Sequence, residues 1–207
     1  MVAIIDYGAG NLLSVQKALD YIGCPNQVTS DPTKILSADG AILPGVGSFG
    51  DAMAHLRSGP LEAVRSFARS GKPFLGICLG LQILFDSSEE SPGVEGLSLM
   101  QGRVRRFPSD MGLKIPHIGW NSIACNKECP LFEGLPANPY VYFVHSYYLT
   151  ADDENEVAAV AEYGVPFHAA AWQGNVFATQ FHPEKSGAVG LQMLRNFVKF
   201  TEQEGEQ

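Results

Sequence analysis

KPFLGICLG, residues 72–80, opens an apolar run that continues directly into LQILF. Phe74 to Ile77 has the length and composition of a strand buried on both faces, and Leu79 to Phe85 has those of a helix start. Almost no linker separates them, which leaves Cys78 at the join. A strand that turns straight into a helix implies alternating β and α segments, and the upstream chain supplies them. Val2 to Asp6 is a short β-branched run that ends in Gly8-Ala9-Gly10. Leu12, Leu13, Val15, Ala18, Leu19 and Ile22 then recur at helical spacing, and Gly23 closes that helix. Further strands read at Gln27 to Thr29 and Gly40 to Leu43, the latter stopped by Pro44-Gly45. Helical stretches follow around Phe49 to Arg57 and Leu61 to Ser70. This order predicts a parallel sheet.

Downstream of Ser91-Pro92-Gly93 the pattern changes. Strand-like segments recur at Arg103 to Phe107, Ile115 to Ile123, Tyr140 to Val144, Val157 to Ala161, Ala169 to Trp172 and Val176 to Gln180. Gly174-Asn175 reads as a hairpin between the last two, so the sheet is expected to be mixed, with a parallel core and an antiparallel extension. A helix from about Ser186 to Phe200 closes the chain, its apolar face built from Val189, Leu191, Leu194, Phe197 and Val198. No linker is long enough to divide residues 1–207, which read as a single domain.

Composition agrees. The 207 residues, 45% hydrophobic, 17% charged and 10% aromatic, suit one globular α/β domain with a real core. The 22 glycines carry no collagen-like period and mark turns. A net charge of -8 repels nucleic-acid phosphates and anionic lipid surfaces. Arg103, Arg105 and Arg106 are the only basic cluster, and on a strand Arg103 and Arg105 share a solvated face. Neither a signal peptide nor a membrane-spanning run is present, so a cytoplasmic protein is expected. There Cys24, Cys78, Cys125 and Cys129 would be reduced thiols. Cys125 and Cys129 have C-x3-C spacing but lack a second ligand pair, and read as structural rather than metal-binding.

Three segments carry chemistry. The first is G-x-C-x-G at Gly76–Gly80, the thiol counterpart of a nucleophile elbow. A sharp turn strains the nucleophile and brings backbone close, so glycines on either side avoid a clash, and helix N-terminal dipoles favour the thiolate. Alone, the segment is equally a buried cysteine beside turn glycines. The second is TQFHPEKS, 179–186, in which His182 and Glu184 follow a strand end. A catalytic cysteine needs such a pair: the imidazole moves the proton and the carboxylate orients the ring. In isolation H-P-E is a surface turn; beside the elbow it is a base with its orienter. The third is LPGVGSFG, 43–50, where Gly45 and Gly47 free the backbone to aim N–H groups at a developing oxyanion, with Leu79 N–H as the other donor. No lysine follows to make this a phosphate loop.

LPGVGSFG, GICLGLQILF and FHPEKS, in this order, make the chain resemble the glutaminase domains of class I, triad-type glutamine amidotransferases. DYGAGN at 6–11, PGVGSFG at 44–50, EESPGVEGL at 89–97, IPHIGWN at 115–121, YFVHSYY at 142–148 and HPEKS at 182–186 narrow the resemblance to the glutaminase-subunit family of imidazole glycerol phosphate synthases. The wider class commonly carries P-G-G where this chain has Pro44-Gly45-Val46-Gly47. The departure supports the narrower family and leaves open which peptide N–H among Gly45, Val46 and Gly47 completes the oxyanion hole. The resemblance implies a three-layer open α/β fold, with Cys78 as nucleophile, His182 as acid and base, and Glu184 as its orienter. It implies Gln82 and Glu90 as contacts for the amino-acid end of glutamine, with Ser146 and Tyr147 lining the same pocket. It further implies that Asn11, Trp120, Tyr142 and Lys185 face a synthase (cyclase) subunit built as a (β/α)8 barrel, which uses the ammonia in histidine biosynthesis. No metal or redox cofactor is implied. The rival readings are a glutaminase of another pathway, such as vitamin B6 or anthranilate synthesis, a non-catalytic regulatory subunit of the same fold, and a cysteine peptidase or esterase.

Overall fold

The computed structural model describes residues 1–126 and 128–204; Lys127 and residues 205–207 of the expected 1–207 domain lie outside the described residues. In chain order the strands are β1 (Val2–Ile5), β2 (Asn26–Thr29), β3 (Gly40–Gly45), β4 (Phe74–Cys78), β5 (Ser87–Ser88), β6 (Gly102–Arg106), β7 (His117–Ser122), β8 (Ala124–Cys125), β9 (Tyr140–His145), β10 (Tyr147–Ala151), β11 (Val157–Tyr163), β12 (Val165–Gln173) and β13 (Val176–Thr179). The helices are α1 (Leu12–Tyr21), α2 (Pro32–Ser37), α3 (Phe49–Ser58), α4 (Leu61–Ala68), α5 (Leu79–Gln82) and α6 (Gly187–Glu204).

One large sheet runs β2-β1-β3-β4-β13-β12-β10-β6-β5, with β11 on β12 and β8 on β11. From β2 to β13 every pairing is parallel, and from β13 through β12 and β10 to β6 it is antiparallel. The expected mixed sheet is therefore present, and Gly174-Asn175 does join β12 to β13 as a hairpin. Side chains alternate between two cores. Ala3 and Ile5 of β1 and Ala41 and Leu43 of β3 face α3 and α4; Val2, Ile4 and Ile42 face α1 and α6. Helices on both faces make the three layers, and a strand apolar on both sides reads as an unbroken hydrophobic run for this reason.

Several expectations change in extent. The helix after Cys78 stops at Gln82 rather than Phe85, because the Ile83, Leu84 and Asp86 carbonyls accept from Leu97, Leu99 and Gly96 N–H groups of the next loop. The segment at Ala169 to Trp172 extends to Val165–Gln173, since it must pair with β10, β11 and β13 in turn. The last helix begins at Gly187; Ser186 instead accepts Tyr142 N–H on its hydroxyl. Besides the two-residue strands β5 and β8, two elements have no counterpart in the sequence reading. In α2 the Asp31 side chain caps Thr33 N–H ahead of a short helix with Pro32 in its first turn. β10 follows β9 after Ser146 alone, where the chain leaves the separate β7–β9 ribbon for the large sheet. Arg103 and Arg105 are exposed on one face of β6, as expected. Among the described residues, no helix is long and apolar enough to cross a membrane.

Candidate active site

The parallel strands converge on Cys78. It ends β4 and caps α5 with φ 57° and ψ -108°, a left-handed conformation that costs a non-glycine residue energy and is sustained only by dense surroundings. Those surroundings are backbone. A Cβ on Gly80 would lie 1.9 Å from the Leu43 carbonyl oxygen, and one on Gly76 would lie 2.7 Å from that of Gly80. The glycines at both flanks of the elbow are therefore obligatory for the turn, as the sequence implied.

β3 brings the glycine loop alongside: Gly45 pairs with Cys78 in the sheet register. A Cβ on Gly45 would meet Tyr7 Oη at 2.6 Å, Leu79 Cβ at 2.8 Å and Gly80 N at 2.9 Å. Gly47 has φ 103°, which only glycine adopts readily. Val46 is exposed, and Val46, Gly47 and Leu79 line the same cavity as Cys78. The peptides expected to bind an oxyanion thus lie where two adjacent strands end.

β13, the neighbour of β4 on its other side, delivers the second pair. His182 precedes a single 3-10 turn, Pro183–Lys185, and its Nδ1 lies 2.8 Å from Glu184 Oε1. Both side chains are almost wholly buried. Burial lowers the proton affinity of the ring, but the Cys78 thiol and the Glu184 carboxylate outweigh it and raise the His182 pKa to about 9. His182 Nε2 is buried with no partner in hydrogen-bond geometry, although the sulfur is close enough to hold the ring's proton electrostatically. The backbone fixes this segment too: His182 N–H donates to Tyr142 O at 3.0 Å, and Ser186 Oγ donates to His182 O at 2.6 Å.

Cys78 and His182 open into a cavity of about 310 Å³ whose walls include Gln82, Glu90, Ser146 and Tyr147, all four residues expected to contact substrate. Two of these already have work inside the protein. Glu90 Oε2 accepts Phe49 N–H at 2.7 Å, at the start of α3, and Gln82 Nε2 donates to Tyr147 O at 3.1 Å and to Gln180 Oε1 at 3.0 Å. Sequence reasoning assigned no chemistry to Gln180, Tyr7, His117 or His145, although each lies inside a quoted motif. Tyr7 Oη is buried without a partner beside the elbow, and burial together with Cys78 raises its pKa above the ordinary phenol value.

The four residues expected at a partner surface surround the Pro183–Lys185 turn. Trp120, 55% exposed, and Tyr142 are cross-strand neighbours with ring centroids 6.1 Å apart, and a Cβ on Gly187 would meet Trp120 at 3.9 Å. Asn11 immediately precedes α1, which packs against the turn that carries Lys185. Among the described residues, no group of three His, Cys, Asp or Glu side chains is placed to hold a metal ion, and Cys125 and Cys129 are free thiols.

This geometry has known counterparts. Residues 3–200 match the family model described as glutamine amidotransferase class-I. The "Imidazole glycerol phosphate synthase subunit HisH" of Syntrophotalea carbinolica is 52% identical over 203 residues, covering 95% of this chain and 98% of that one. The protein of the same name from Methanosarcina barkeri is 54% identical over 200 residues, covering 95% and 97%. Among solved structures, PurLQS from Thermotoga maritima is similar with a TM-score of 0.77 at 20% identity, covering 96% of this chain and 97% of that one. The crystal structure of a glutamine amidotransferase gives 0.76 at 20%, covering 98% and 100%. These two likenesses show the fold. The family model and the full-length relatives place the chain in the class-I glutamine amidotransferase family and, within it, among the HisH subunits of imidazole glycerol phosphate synthase.

Proposed function

We propose that residues 1–207 work as one glutaminase domain in which Cys78, His182 and Glu184 hydrolyse glutamine to glutamate and ammonia. The observation that carries this reading is the convergence of Cys78 on β4 with the buried His182–Glu184 pair after β13, in one cavity with the Gly45–Gly47 loop. The sulfur attacks the γ-carboxamide carbon. His182, whose proton is held at neutral pH, protonates the departing amide nitrogen, so that ammonia leaves and a γ-glutamyl thioester remains. The neutral ring then takes a proton from water as it attacks the thioester, and glutamate is released. Glu184 keeps the Nδ1 hydrogen in place throughout, and the tetrahedral oxyanion is received by Leu79 N–H with a peptide N–H of the Gly45–Gly47 loop. Glu90, Gln82, Ser146 and Tyr147 hold the amino-acid end of the substrate.

Ammonia in water at neutral pH is mostly protonated and then cannot attack, so the reaction calls for a sheltered acceptor. We assign that role to a synthase (cyclase) subunit built as a (β/α)8 barrel and docked on the face of Asn11, Trp120, Tyr142 and Lys185. There ammonia would be used to make imidazole glycerol phosphate and an aminoimidazole carboxamide ribonucleotide in the cytoplasm. The test is a complex reconstituted with the synthase subunit. Cys78→Ala should abolish glutamine-dependent synthesis and leave synthesis from added ammonium salt intact. Ordinary glutamine hydrolysis by that variant would overturn the triad, and loss of both activities would overturn the division of labour.

A further inference from the structure

A continuous polar chain runs from the buried His117 of β7 to the sulfur. His117 Nδ1 lies 3.0 Å from His145 Nε2, and His145 Nδ1 lies 2.8 Å from Tyr147 O. Gln82 Nε2 donates to that same carbonyl and to Gln180 Oε1, and Gln180 Nε2 donates to Cys78 Sγ at 3.7 Å. Gln82, His117, His145 and Gln180 are all buried.

The direction of every link follows from one atom. Tyr147 O is a carbonyl and can only accept, so the His145 hydrogen is on Nδ1 and Gln82 turns its amide nitrogen, not its oxygen, toward it. Gln82 then presents a second N–H to Gln180, which must answer with Oε1. The Gln180 nitrogen is left facing the sulfur. At the other end, a neutral His145 accepts on Nε2, so His117 donates from Nδ1. Burial keeps both rings neutral, lowering the pKa of His145 to about 3 and that of His117 to about 4. A flipped Gln180 would aim its oxygen at the thiolate and its nitrogen at the Gln82 amide nitrogen, two repulsive contacts between buried side chains.

We propose that Gln180 is a further catalytic residue, whose side-chain N–H stabilises the Cys78 thiolate, and that Gln82, His145 and His117 are positioning residues that fix its orientation through the Tyr147 carbonyl. The inference rests on Cys78 being the nucleophile. A hydrogen bond to the charged form of an acid favours that form, and a long bond to sulfur lies at the weak end of the range. Loss of the donor should therefore move the alkylation profile of Cys78 toward higher pH by about one unit. The other groups that face Cys78 are Tyr7 from the loop after β1, His182 with Glu184 behind it from the turn after β13, and Glu90 and His145 across the cavity.

The experiment is alkylation of the full chain by iodoacetamide across a pH series, read as the rate at the Cys78 peptide by mass spectrometry. Gln180→Met keeps the length and removes the donor. Its profile should move up by about one unit, with about a tenfold lower rate at any pH on the rising limb of the profile. His117→Phe should move it in the same direction by less. Should Gln180→Met lack a cooperative melt, Gln180→Glu keeps the shape and the acceptor for Gln82, and should move the profile further by placing a carboxylate oxygen against the sulfur. A Gln180 variant that folds and titrates like the unsubstituted chain overturns the role of Gln180, and an unshifted His117→Phe profile overturns the orienting chain. Failure of the underlying reading looks different: a Cys78→Ser variant that still hydrolyses glutamine removes the nucleophile whatever the Gln180 profiles show.

Discussion

Replacing Glu184 by glutamine keeps the shape of the side chain and removes its charge. Glu184 Oε1 and His182 Nδ1 are 2.8 Å apart with side chains 1% and 2% exposed, so solvent screens the pair little. Cys78 and Glu184 together overcome the effect of burial and hold the His182 pKa at about 9. An unfolded histidine titrates near 6.5. Because the folded value is the higher, the stabilisation from protonated His182 is complete below about pH 6.5 and is lost as the pH rises through about 9. The interval corresponds to about 3 kcal/mol. Exchanging a charge-assisted hydrogen bond for a neutral one removes about 1 kcal/mol or somewhat more, or about one pH unit. Glu184→Gln should therefore lose about a third less stability than the unsubstituted chain between pH 6.5 and 9.5. Urea midpoints measured at half-unit steps over that range give the answer, with His182→Asn as the blank that has no ring to titrate. Identical slopes in the unsubstituted chain and Glu184→Gln would refute the claim that this carboxylate holds the imidazole's charge.

Three further outcomes are expected. His182→Asn in the complex should lower glutaminase kcat nearly as far as Cys78→Ala, with Glu184→Gln clearly milder, since an unoriented base still works in part; steady-state ammonia release orders the three, and equal losses would contradict it. Gly80→Ala places a Cβ 1.9 Å from the Leu43 carbonyl oxygen, a backbone atom held in β3, and should destabilise by at least about 1–3 kcal/mol by urea midpoint. An unchanged midpoint would mean the elbow has slack that its geometry denies. Trp120→Ala, on a half-exposed ring, should leave the stability of the chain alone within about 0.5 kcal/mol. In calorimetric titration with the synthase subunit it should cost at least about tenfold in affinity, and undiminished binding would move the docking face elsewhere.

The parallel half of the sheet was most legible where its strands are buried on both sides: β1, β3 and β4 are short apolar runs, as at Ile42-Leu43-Pro44-Gly45, whereas β2 at the sheet edge is polar and half-buried. The truncated α5 was not. Its lost turn is taken by backbone groups of residues 96–99, and no periodicity in LQILF reveals where its carbonyls find partners. The β9–β10 change of sheet was hidden for a similar reason: the segment read at Tyr140 to Val144 runs on into HSYYLTA with no glycine or proline to mark a new strand, and only pairing partners distinguish the two. Cys78, His182 and Glu184 could be read from local spacing because an elbow and a strand-end H-P-E are local devices. Gln180 and the His117–His145 pair could not, because the roles proposed for them rest on contacts across distances that folding closes.

The neighbours β4 and β13 are adjacent in space but lie on opposite sides of the whole antiparallel extension in the chain. A ribosome that has just released the elbow has made a thiol with no imidazole near it. Everything from β5 to β12 must be synthesised before the strand that carries the base can slot in beside β4. On the proposed triad, nascent and truncated chains would thus be inert toward glutamine, and the cell's glutamine pool would be exposed to this cysteine only once the sheet has closed around it.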